Sequence, residues 1–62
     1  MYTIKTKYGD NPWHWITDGL GVKKKYNKKD AMDIAKRLNR FFQVRIYKND
    51  KIVVSEGDIA EW

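Results

Sequence analysis

The sequence has no cysteine, one proline and one histidine among its 62 residues. Without cysteine it can form neither a disulfide framework nor a thiolate metal site. No apolar run approaches the ~20 residues of a membrane-spanning helix, so we expect no contact with a membrane. The chain opens on an alternating strand pattern rather than on the apolar segment of a signal peptide, which makes a cytoplasmic location the expectation.

Residues suited to catalysis are equally scarce. His14 is the only histidine, and its nearest acids, Asp10 and Asp18, each lie four positions away. Ser55 is the only serine, and nothing in the sequence orders it against His14. The glycines at positions 19 and 21 precede a strand pattern rather than a helix, so they do not form a phosphate loop. We therefore predict a protein that is not an enzyme and has no catalytic residue, no metal site and no cofactor.

The first 26 residues predict two strands and allow a third. Residues 2–8 alternate large or β-branched residues with lysine and threonine, which is the pattern of a half-buried strand. A turn at 9–12 leads to an aromatic strand at 13–17. After a second turn at 18–21, residues 22–26 allow another strand, although three consecutive lysines make its pairing uncertain.

The middle of the chain predicts one amphipathic helix. Asn27 can accept a hydrogen bond from a free N–H of the first turn, and Asp30 complements the positive end of the helix. The apolar positions share one broad stripe on a helical wheel. They are Ala31, Ile34, Ala35, Leu38, Phe41 and Phe42. We expect this stripe to pack on a sheet and the opposite, basic face to lie in water.

Two β-rich runs, 43–48 and 51–56, predict a hairpin around Asn49-Asp50. Its register stays open between two alternatives. A two-residue loop sets Ile46 opposite Val53, whereas a three-residue loop sets Ile46 opposite Val54 and groups the apolar residues on one face. That second arrangement would place Ile52 on the same face as Ile46. At the C-terminus, residues 59 and 62 can pack back onto the core.

The predicted fold is therefore a single domain, residues 1–62, of the α+β class. One helix packs on a mainly antiparallel sheet in the order β-β-(β)-α-β-β. Five features of this order resemble many short phage and prophage proteins, some anti-CRISPR inhibitors among them. They are the opening Tyr-x-Ile-x-Thr strand, the aromatic second strand, the capped helix with Asp-Ala-x-x-Ile-Ala, the closing Val-x-Ile hairpin and the final Trp. The resemblance covers nearly the whole chain and implies a small inhibitor or accessory protein that works by binding. It carries over no functional residue, because such proteins share a scaffold rather than a site.

Charge is the most informative property of the sequence. The net charge is +5, and residues 23–48 hold ten basic and two acidic residues. Such a field attracts phosphate backbones and accelerates encounter with any acidic partner. The candidate nucleic-acid-binding residues are Lys23, Lys24, Lys25, Lys28, Lys29, Lys36, Arg37 and Arg40. Lysine-rich surfaces also simply keep small domains soluble.

The leading hypothesis is thus a non-enzymatic phage or prophage protein whose basic face contacts nucleic acid or a nucleoprotein complex. The alternative is a protein-only inhibitor of a host protein, which docks through exposed aromatic residues and the C-terminal hairpin. Its candidate contacts are Trp13, Trp15 and Tyr47, although most large rings in so short a chain must serve the core. We expect a monomer or a weak homodimer.

Overall fold

A computed structural model describes residues 1–62 and confirms the α+β class. Its four strands form one antiparallel sheet in the order β2-β1-β3-β4. The strands are β1 (Tyr2–Lys7), β2 (His14–Trp15), β3 (Gln43–Lys48) and β4 (Lys51–Val54). One α-helix, α1 (Lys28–Leu38), and a C-terminal 3₁₀ helix (Ile59–Glu61) complete the fold. At 11 residues, α1 is too short and too polar to cross a bilayer.

Helix α1 begins as the sequence predicts. The side-chain oxygen of Asn27 accepts a hydrogen bond from the backbone N–H of Asp30 at 2.8 Å. Ala31 and Ala35 are fully buried, and their small side chains let the helix lie close to the sheet. The helix ends at Leu38, and Phe41 is 71% exposed, so the prediction that Phe41 belongs to the packed stripe is wrong.

The core lies between α1 and one face of the sheet. Strands β1, β3 and β4 supply apolar residues to it, and the 3₁₀ helix closes one end. The core residues are Ile4, Tyr26, Ala31, Ala35, Val44, Ile46, Val54 and Ile59. Trp62 packs edge-on against Tyr2, with 5.7 Å between the ring centroids. The expectation that the C-terminal segment folds back onto the core is confirmed.

The hairpin combines features of both predicted registers. Asn49 and Asp50 have φ values of 52° and 62°, so they form a two-residue turn with both residues left-handed. Ile46 nevertheless lies opposite Val54, because the register shifts and leaves Val53 unpaired in a β-bulge. Ile52 therefore lies opposite Tyr47, and the prediction that Ile52 shares the face of Ile46 is wrong.

The predicted third strand does not form. Residues 22–26 contribute only two isolated bridges, Thr17 with Lys23 and Tyr2 with Tyr26. The carboxylate of Asp18 accepts hydrogen bonds from the backbone N–H groups of residues 20 and 22, at 2.7 and 3.1 Å. Asp18 thereby takes the N–H of residue 22, which a regular ladder would use, whereas residue 20 lies in the turn itself. Strand β2 is correspondingly shorter than the predicted 13–17.

Candidate nucleic-acid interface

One face of the sheet carries no helix. In β1, Ile4 points into the core beneath α1, so its neighbours Thr3 and Lys5 point to the opposite face. In β3, Val44 and Ile46 are fully buried, which sends Arg45 to that same opposite face. We call this surface the open face.

Aromatic and cationic side chains cluster on the open face. The rings of Trp15 and Tyr47 meet edge-to-face with 4.7 Å between centroids. The ammonium group of Lys5 lies 4.5 Å from the Trp15 ring centroid, and that of Lys23 lies 4.0 Å from it. We refer to Lys5, Trp15, Lys23 and Tyr47 as the open-face cluster. Cation–π attraction of this kind holds flexible lysine side chains against a ring.

A second ring and cation adjoin the cluster. The guanidinium of Arg45 lies 4.1 Å from the ring centroid of Trp13. It also donates two hydrogen bonds to the carboxylate of Glu56, at 2.6 and 3.0 Å. These hydrogen bonds lower the pKa of Glu56 to about 2, and they raise the pKa of Arg45. Arg45 is therefore fixed in position but is largely neutralised by its partner.

A shallow cleft lies beside the open-face cluster. Its volume is about 450 Å³, and five of its six lining residues are polar or charged. The lining residues are Met1, Thr3, Lys23, Lys25, Asn49 and Asp50. Lys23 connects the cleft to the cluster, because its ammonium group lies over Trp15 and 3.7 Å from the carboxylate of Asp50. With one carboxylate and no histidine, the cleft suits the binding of an anion better than acid–base catalysis.

The eight predicted nucleic-acid-binding residues do not form one surface. Lys23 and Lys25 line the cleft, whereas Lys24 lies 5.9 Å from the ring of Tyr26. The other predicted basic residues are exposed on α1 or shortly after it, on the side of the molecule away from the open face. They are Lys28, Lys29, Lys36, Arg37 and Arg40. The chain thus has two separate basic surfaces.

The three aromatic candidates, in contrast, do come together. Trp13 and Trp15 are half-buried on the open face, and Tyr47 is 8% exposed in edge-to-face contact with Trp15. Sequence reasoning missed Lys5 and Arg45, which lie opposite each other in the sheet. Lys5 also lies opposite Trp15. Only the strand order brings these residues together, although the alternation of β1 had already assigned Lys5 to the polar face.

The structure does not bring the remaining histidine, serine and acidic side chains together into a site. His14 is exposed on β2, and the structure contains no group of three or more histidine or acidic side chains that could hold a metal ion. Ser55 hydrogen-bonds to Asp58 at 3.4 Å, near the C-terminus. Comparison of the chain with protein-family models, curated proteins and solved structures finds no match.

Proposed function

We propose that this chain is a non-enzymatic binding protein that contacts nucleic acid, or a nucleoprotein complex, through its basic surface. The observation that carries the proposal is the cleft lined by Lys23 and Lys25, in which the ammonium group of Lys23 lies 4.0 Å from the ring centroid of Trp15. Cations next to exposed rings are the combination that nucleic-acid-binding surfaces use. A phage or prophage origin is also a proposal, and it rests on the resemblance of the strand, helix and hairpin motifs alone.

The pairing of charges also supports the proposal. Of the 13 lysine and arginine residues, only Lys23 and Arg45 have a carboxylate oxygen within 4.0 Å. The remaining cations, Lys25 among them, have no ion-pair partner within the chain. Unpaired cations that need no internal rearrangement are available to phosphate groups, and each contact releases counterions from the nucleic acid.

The test is the salt dependence of binding to a labelled duplex and a labelled single strand of equal length. About four phosphate contacts predict a log–log slope of roughly −3 to −4 on duplex DNA. Changing Lys23 and Lys25 to Gln should make that slope shallower by nearly two units. A matched variant, Lys29→Gln with Lys36→Gln, removes the same charge from α1. Absence of binding to either probe at low salt would overturn the proposal.

A second function is favoured by one specific feature of the hairpin. Ile52 is 49% exposed directly opposite Tyr47, so apolar surface continues from the open-face cluster onto β4. An inhibitor that docks on a host protein through Trp13, Trp15 and the hairpin would use such a surface, whereas Tyr47, at 8% exposure, would only support Trp15. Its binding would change little with salt. A pull-down from the native cell with and without nuclease separates this function from the first, because only a nucleic-acid bridge is lost on digestion.

A further inference from the structure

We infer that the nucleic acid is single-stranded and lies across the open face, with a base stacked on Trp15. The inference rests on the proposed function, since it assigns that function to one of the two basic surfaces and to one form of nucleic acid. Its starting point is the contact of Lys5, Lys23 and Tyr47 with a single ring on an uncovered sheet.

The chemistry of the cluster distinguishes single strands from duplexes. A duplex presents mainly phosphates and sugars to a flat protein surface, because its bases are stacked inside, so rings on that surface would gain nothing. A single strand presents phosphates and unstacked bases together, and it is bound by cations and aromatic faces in one groove. The open face combines both kinds of group, with Trp13 and Arg45 extending the cluster beyond Trp15.

The helical surface lacks this combination. The cations of α1 include Lys29, Lys36 and Arg37, and none of them lies over an aromatic ring. Asp33 lies among them on the same exposed face. Such a surface can attract any polyanion, but it has no means of preferring unpaired bases.

The roles within the cluster follow from exposure. Tyr47 is 8% exposed and meets Trp15 edge-to-face, so it supports the Trp15 ring rather than contacting a ligand. Trp15 is half-buried and keeps part of its ring accessible. Lys5 and Lys23 cover ring surface through flexible side chains, and either can swing away to a phosphate while a base takes its place on the ring. Trp15 is thus the stacking residue and the two lysines are the phosphate contacts.

The experiment measures fluorescence anisotropy of a labelled oligothymidine and of a duplex of the same length. Three variants are compared with the parent: Trp15→Leu, Lys5→Gln with Lys23→Gln, and Lys29→Gln with Lys36→Gln. Trp15→Leu should weaken binding of the single strand roughly 5- to 150-fold, which is the loss expected for one stacked base. The Lys5 and Lys23 variant should flatten the salt slope, and the α1 variant should leave single-strand affinity nearly unchanged.

Intrinsic tryptophan fluorescence gives a second measurement that needs no label. Saturation with oligothymidine should quench the emission of the parent, and the same titration of a Trp13→Leu variant should retain most of the quenching. Circular dichroism melting establishes that each variant is folded. If Trp15→Leu does not fold, the quenching of the Trp13→Leu variant and the salt slope of the lysine variant decide the question.

The outcomes separate this inference from the function on which it rests. Equal affinity for duplex and single strand, or loss of binding in the α1 variant alone, overturns the inference and leaves the proposed function standing. The inference is also overturned, and the proposed function left standing, if neither Trp15→Leu nor the Lys5 and Lys23 variant weakens binding of the single strand. If the parent binds neither probe at low salt, both the inference and the proposed function fail.

Discussion

Arg45 lies between Trp13 and Glu56, stacked on the ring of one and doubly hydrogen-bonded to the carboxylate of the other. The three residues come from different parts of the chain: the end of the first turn, strand β3, and the segment after β4. Arg45 thus connects the loop before β2 to the C-terminal segment on the open face. A bidentate arginine–carboxylate pair fixes orientation as well as charge.

Acid should weaken this connection. The pKa of Glu56 is lowered from 4.5 to about 2 in the folded protein by its hydrogen bonds from Arg45. A carboxyl with a lowered pKa stabilises the fold above its unfolded pKa, and that contribution is lost as the pH falls from about 4.5 toward 2. Chemical denaturation at a series of pH values should show a smaller decrease over this range in Glu56→Gln than in the parent. The effect should be modest, because the pair is partly open to solvent. Asp58→Asn, which removes a nearby carboxyl that Arg45 does not bind, serves as the matched control, and identical pH profiles for the parent and Glu56→Gln would contradict the prediction.

The C-terminal 3₁₀ helix should be necessary for stability. Ile59 is fully buried in the core cluster although it lies only three residues from the end of the chain. Ile59→Ala should lower the free energy of unfolding by ~2–5 kcal/mol, which is a large fraction of the total for a domain of this size. Ile52→Ala makes the same chemical change at a half-exposed position and should have little effect on urea denaturation. Similar midpoints for the two variants would show that the C-terminal segment does not belong to the core.

The hairpin turn should accept a stabilising substitution. Asp50 has a φ of 62°, a left-handed conformation that glycine adopts without steric cost. Asp50→Gly creates an Asn-Gly turn and should raise the free energy of unfolding by about 0.5–1 kcal/mol, which corresponds to a rise in Tm of several degrees. The ion pair that it removes is long, at 3.7 Å, and exposed, so its loss should matter little.

Asp50→Ala separates the two effects of that substitution. It removes the same ion pair but keeps a side chain in the left-handed region, so its melting temperature should fall below that of Asp50→Gly. Both variants free Lys23 from its carboxylate partner. If Lys23 contacts phosphate, both should bind oligothymidine at least as tightly as the parent, and weaker binding by both would argue against that contact.

The sequence was sufficient for the parts of the fold that depend on local patterns. The Asn27 cap, the stripe at Ala31 and Ala35, and the inward position of Ile4 in β1 all depend on neighbours within a few residues, and all are found in the structure. The turn at 18–21 was predicted, but the loop at 22–26 was not, because the carboxylate of Asp18 accepts a hydrogen bond there from the backbone N–H of Val22. The register of the hairpin depends on a bulge, which no local pattern marks.

The candidate site was only partly predictable for a related reason. Net charge and aromatic content can be counted along the chain, but they do not say which residues share a surface. Lys5 becomes a neighbour of Trp15 only through the pairing of β1 with β2, and of Tyr47 only through the pairing of β1 with β3. The basic residues from 23 to 40 lie close together in the sequence but are divided in space, because α1 packs on the face opposite the open face.

The bulge at Val53 bears on how the molecule meets its own copies. Strand β4 lies at the margin of the sheet, where its outer backbone groups have no partner. The run Ile52-Val53-Val54 is apolar and β-branched, which is the composition that stacks into fibrils when it is flat and regular. An unpaired residue in the middle of the run breaks the spacing of the backbone groups and twists the strand. The bulge lets the two-residue turn coexist with the pairing of Ile46 and Val54 in the core. The same bulge therefore also protects the molecule against aggregation through its edge strand.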